Sequence, residues 1–60
     1  MSYYVLTIQG YHKDLLCFEE KHRMNSFMDA IAESANILEH ETPNRRYMRY
    51  DVRIELTDEH

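Results

Sequence analysis

The sequence predicts a two-layer α+β domain, strand–strand–helix–strand, in which one helix packs on a three-stranded antiparallel sheet of order 2-1-3. Three observations carry that expectation. Positions 47 to 56 alternate apolar and polar without a break, the mark of a strand with one buried and one wet face. Positions 26 to 41 set Phe27, Met28, Ile31, Ala35 and Leu38 within about a third of a turn at 100° per residue. Positions 3 to 9 are β-branched and aromatic, a composition suited to a pleated surface.

The first strand runs from about 3 to 9. Tyr4, Leu6 and Ile8 share one face, and Tyr3, Val5 and Thr7 the other. Gly10 to Lys13 reads as a turn, with Gly10 supplying any left-handed backbone angle. The second strand covers about 14 to 23, with Leu15-Leu16-Cys17-Phe18 as its apolar centre. Its spacing from the first makes a hairpin. Leu, Glu and Lys also suit a helix there, but the apolar residues show no 3.6 period.

The helix spans about 26 to 41. The Ser26 hydroxyl can accept a backbone N–H, and Asp29 sits at the positive end of the helix dipole. Pro43 disfavours helical angles at Thr42 and so ends the helix. Ala30 and Ile37 fall outside the apolar stripe, where they would form a second apolar spot with Tyr3 or Tyr11. In the last strand, about 47 to 56, Met48, Tyr50, Val52, Ile54 and Leu56 form the face that the helix stripe should cover. Tyr47, Arg49, Asp51, Arg53 and Glu55 form the wet face. Beside strand one this strand runs antiparallel and is a sheet edge, open to a further strand. Beside strand two it would be parallel, through a right-handed crossover.

Size and composition narrow the function. Sixty residues make one small domain, and a chain of this length buries only about 60% of its unfolded surface. A single cysteine, Cys17, excludes an internal disulfide, so a homo-oligomer or a bound partner is expected to supply stability. With 43% hydrophobic residues, five Tyr and two Phe, the composition is that of a packed chain rather than a disordered one. No apolar run reaches the roughly 18 residues of a membrane span. Met1-Ser2-Tyr3-Tyr4 lacks the regions of a signal peptide, and a lone cysteine fits a reducing compartment. The sequence therefore reads as cytoplasmic, with no membrane partner.

No catalytic, cofactor or metal site is expected. His12, Cys17 and His22 lack the paired, turn-like spacing of zinc ligands. Cys17, among apolar neighbours, reads as a small buried hydrophobe, and Ser26 as a helix cap. Asp29 and Glu33, one helical turn apart, read as a solvated face. A domain this small also has little room for a ligand cavity of roughly 300 Å³ or more.

The binding residues expected from the sequence are Arg45, Arg46, Tyr47, Arg49 and Arg53. From Pro43 to Leu56 four arginines stand against Asp51 and Glu55, a local +2 in a chain of net −4. Arg and Tyr are enriched at interface hot spots, and together they also stack on single-stranded bases. The alternative is an ordinary wet strand face, in which Arg49 and Arg53 stand next but one to Asp51 and Glu55 and are partly neutralised by them. Of the two binding readings, the modest basicity favours a protein interface over nucleic acid.

The order of elements, the helix start Ser26-Phe27-Met28-Asp29-Ala30-Ile31-Ala32-Glu33 and the strand bearing Arg49 and Arg53 resemble short phage-encoded inhibitors of host RNA polymerase. The acidic tail after Leu56 departs from that pattern. The resemblance implies a small protein-binding module that holds an acidic-faced host enzyme through the strand arginines.

Overall fold

In the computed structural model, which describes residues 1–41 and 49–58, β1 (Ser2–His12), β2 (Leu15–Met24), α1 (Phe27–Glu41) and β3 (Arg49–Asp58) follow one another along the chain. The strands form one antiparallel sheet in the order β2-β1-β3, the predicted topology. No described helix is long and apolar enough to cross a membrane.

The hairpin turns at Lys13 and Asp14 rather than at Gly10. Both adopt left-handed angles, with φ of 53° and 64°. A two-residue loop with φ > 0 at both positions matches the twist of the strands it joins. Gly10 stays in β1 with no positive φ, opposite Phe18 on β2 and Tyr50 on β3. The Phe18 and Tyr50 rings meet edge to face with centroids 5.9 Å apart. They share the Gly10 row across the central strand, so the missing side chain leaves them room.

Register then settles which residues share a face. Opposite residues in an antiparallel pair point to the same side. Phe18, Glu20, His22 and Met24 of β2 therefore join Tyr4, Leu6, Ile8 and Gly10 of β1, and Tyr50, Val52, Ile54 and Leu56 of β3, on the helix side. Leu6 and Ile8 are 0% exposed and, with Ala30 and Ile37 of the helix, form the core. Each fully buried aliphatic side chain of this kind contributes about 1.5–3 kcal/mol. Phe18, Met24, Leu38, Tyr50 and Ile54 pack around these four.

The helix begins as expected. The Asp29 backbone N–H donates to the Ser26 hydroxyl at 3.1 Å, and the Ala30 N–H donates to the Ser26 carbonyl. Its buried face, however, is not the predicted stripe. Ala30 and Ile37, two turns apart, meet the sheet, while Phe27, Met28, Ile31 and Ala35 are exposed. Only Leu38 of the expected set packs against the core. The helix is thus rotated by roughly 100° from the face that counting apolar residues favours. Two residues, Asn25 and Ser26, link Met24 to the helix, and so short a link dictates which side meets the sheet. Ala30, lacking any side chain beyond Cβ, allows a close approach. Tyr3 and Tyr11, the expected neighbours of Ala30 and Ile37, lie on the opposite side of the sheet.

Coverage of the sheet is also incomplete. A 15-residue helix is about 22 Å long and 10 Å wide, less than strands of ten and eleven residues at about 3.3 Å each. Tyr50 and Ile54 are covered, but Val52 and Leu56 on the same side remain 44% and 62% exposed. At the hairpin end, Leu15, Leu16 and Cys17 are exposed as well, contrary to their reading as the apolar centre of β2. Cys17 is the residue skipped where the pairing shifts between Gly10–Phe18 and Tyr11–Leu16, a bulge. Its thiol donates to the Leu15 carbonyl at 3.4 Å.

Candidate functional site

The face of the sheet away from the helix is built on the odd positions of β1: Tyr3, Val5, Thr7, Gln9 and Tyr11. Strand pairing adds side chains to it in rows. Lys21, Thr7 and Arg53 form one row; Glu19, Gln9 and Asp51 form the next; Arg23, Val5 and Glu55 flank them on the other side. A basic row thus lies beside an acidic row, about 7 Å along the strands. Among the described residues, four cations, Lys21, Arg23, Arg49 and Arg53, stand there with three carboxylates, Glu19, Asp51 and Glu55.

The two ends of this face carry guanidinium–aromatic contacts. The Arg23 guanidinium carbon lies 4.0 Å from the Tyr3 ring centroid, and that of Arg49 lies 4.5 Å from the Tyr11 centroid. Arg49 also pairs with Asp51 at 3.3 Å. Tyr11 donates its hydroxyl to the Gln9 side-chain oxygen at 3.0 Å, and the Gln9 amide donates to Glu19. Tyr11, Gln9 and Glu19 are therefore linked across two strands. Arg53 approaches Glu55 only to 3.9 Å and is 73% exposed, so its guanidinium has donors to spare for another molecule.

Between the flanking strands lies an open trough of about 400 Å³, lined by Thr7, Gln9, Glu19, Lys21, Asp51, Arg53 and Glu55, among others. Its lining offers guanidinium, ammonium, carboxylate, amide and hydroxyl groups. Such a surface can hold charged and amide groups by several hydrogen bonds at once.

Two of the five residues singled out by sequence, Arg49 and Arg53, stand on this face. Arg45, Arg46 and Tyr47 lie outside the described residues. Sequence reading missed Lys21, Arg23, Tyr3 and Tyr11, which only the cross-strand register brings to the arginine face. The alternation Glu19, Lys21, Arg23 was the available signal, but the mixed apolar start of β2 obscured it. Among the described residues, no three His, Cys, Asp or Glu side chains group to hold a metal ion. His22 instead pairs with Glu20 at 3.1 Å on the helix side.

No protein-family model, curated protein or solved structure matches the chain.

Proposed function

We propose that the chain is a small protein-binding module that recognises its partner through the helix-free face of the sheet. The observation that carries this reading is the pairing of a basic row, Lys21 and Arg53, with an acidic row, Glu19 and Asp51, between two guanidinium–tyrosine contacts. Tyr and Arg are, with Trp, the residues enriched at interface hot spots. Alternating charge rows also select a partner of complementary pattern and penalise a mismatched one. Nucleic acid fits this surface less well, because Glu19, Asp51 and Glu55 would lie against phosphates. In its narrower form, taken from the likeness to phage-encoded inhibitors, the partner is host RNA polymerase, met at a patch whose acidic groups face Lys21 and Arg53 and whose basic groups face Glu19 and Asp51.

Two measurements test the reading. Purified bacterial RNA polymerase is titrated with the chain, and a bacterial lysate is passed over the immobilised chain. Both are repeated with an Arg49→Glu/Arg53→Glu variant and with a Met28→Glu/Ile31→Glu variant altered on the exposed helix face. The proposal expects a partner retained by the native and helix variants and lost by the strand variant. Identical binding by the native and strand variants would overturn it. Binding to another protein but not to the polymerase would remove only the narrower form.

A further inference from the structure

We infer that β3 pairs with β3 of a second copy of the chain, antiparallel and centred on Val52, to give a continuous six-stranded sheet. The inference rests on the order of charges along β3. On the open face the strand reads Arg49, Asp51, Arg53, Glu55, each with its side chain exposed. This plus–minus–plus–minus order inverts its signs when read backwards. A two-fold axis through Val52 therefore sets Arg49 against the partner's Glu55 and Asp51 against the partner's Arg53, and the symmetry repeats both contacts. All four cross-strand pairs are of opposite charge, the arrangement that stabilises neighbouring strands.

Other registers do worse. Sliding the partner by two residues one way sets Arg49 against Arg53 and Asp51 against itself. Sliding it two the other way sets Arg53 against itself and Asp51 against Glu55. A slide of one residue would turn the helix face outward. The Val52 register also sets Val52 against its own copy, and Tyr50 against Ile54, on the helix side. Val52 is the exposed apolar residue in the middle of that edge.

The two sheet edges are not equivalent. The outer edge strand β2 is broken by the bulge at Cys17, a device that discourages further pairing. The ten-residue β3 pairs with β1 without irregularity from Ser2–Asp58 to Tyr11–Arg49. A second copy is the occupant that this self-complementary charge order fits. In the dimer, the basic row of each subunit (Lys21, Thr7, Arg53) continues into the acidic row of the other (Asp51, Gln9, Glu19). The inference shares Arg49 and Arg53 with the partner-binding reading, but it is tested with no other protein present, so its failure is distinguishable from the failure of that reading.

The test uses charge exchange and molar mass. Sedimentation equilibrium at about 10 to 500 μM, a range suited to interfaces below the ~1,200 Å² of standard size, should show twice the 7.3 kDa chain mass at the upper end. Asp51→Arg alone, or Arg53→Asp alone, places like charges opposite each other at two symmetry-related positions. Each should weaken dimerisation roughly 30-fold, judged from cross-strand pair energies. The double variant Asp51→Arg/Arg53→Asp restores opposite charge at every pair and should dimerise like the native chain. An equimolar mixture of the two single variants should form a heterodimer, since every pair between them is again opposite. Circular dichroism of each variant checks that the sheet is intact, and the double variant and the mixture report on pairing even if one single variant is less stable. A native chain that stays at 7.3 kDa throughout the range, single variants that dimerise unchanged, or failure of both restoring combinations would overturn the inference.

Discussion

Arg49 and Tyr11 face each other directly across β3 and β1, with the guanidinium carbon 4.5 Å from the ring centroid. The contact ties the edge strand to the central strand at the end of the sheet nearest the hairpin turn. A guanidinium over an aromatic face is attracted by the ring quadrupole, by about 0.5–1 kcal/mol at an exposed site. The same arginine meets Asp51, so one side chain both secures β3 and sets a charge in the open face.

A double-mutant cycle isolates that contact. Tyr11→Leu, Arg49→Ala and their combination, compared by urea unfolding, should show a coupling of about 0.5–1 kcal/mol. Arg49→Lys should keep the charge and lose part of the coupling, because an ammonium lacks the flat surface that stacks. A coupling near zero would mean that the two groups are neighbours without attraction.

Gly10 separates a turn role from a packing role. A glycine needed for backbone freedom has positive φ, and Gly10 has none. Gly10→Ala should nevertheless destabilise, by about 1–3 kcal/mol, because the added methyl crowds the Phe18–Tyr50 contact. Stabilisation by Gly10→Ala, the ordinary result for a strand glycine without neighbours, would show that the rings do not need the space. Lys13→Gly or Asp14→Gly should be tolerated, since glycine adopts left-handed angles at no steric cost.

The rotated helix face gives a test in which position alone decides the result. Ile37→Ala, at the core, should cost about 2–5 kcal/mol. Ile31→Ala and Met28→Ala, on the exposed side, should each stay within about 0.5 kcal/mol. A chain of this size is stable by only about 3–9 kcal/mol, so Ile37→Ala should leave a large unfolded fraction by circular dichroism. Equal losses at 31 and 37 would contradict the observed face.

Tyr50 supplies an opposite sign. Its ring packs against the core, but its hydroxyl is buried with no hydrogen-bond partner among the described residues. An unsatisfied buried hydroxyl costs about 1–3 kcal/mol. Tyr50→Phe keeps the ring contact with Phe18 and removes the hydroxyl, so it should raise stability by about 1 kcal/mol, read as a higher urea midpoint at unchanged slope.

The parts of this fold legible in the sequence were those written in local pattern. The period-2 alternation around Arg49 to Leu56 sufficed to define β3 and its faces, and Ser26 with Asp29 sufficed to start the helix. Sheet order 2-1-3 was expected over a parallel crossover, and the antiparallel pairing of β3 with β1 bears it out. The helix face did not follow, because two apolar stripes overlap in α1 and the fuller one is not the buried one. Three-dimensional coverage decides between them, and periodicity holds no information about it. The same limit hid half of the candidate site. Arg49 and Arg53 announce themselves by alternation, whereas Lys21 and Arg23 join them only because β1 holds β2 in a particular register. The bulge at Cys17, which exposes a residue read as buried, is likewise a property of pairing between strands.

The central position of β1 has a consequence for how the chain assembles. Its pairing with β2 is closed by a two-residue loop, and such hairpins form in about 1–10 μs. Its pairing with β3 joins residues as far apart as Ser2 and Asp58, and must await closure of a long loop that includes the helix. Contact order therefore predicts that the β1–β2 hairpin forms before β3 docks, leaving one side of β1 bare until then. The last strand to arrive seals that side and in doing so moves the open edge of the sheet from β1 to β3.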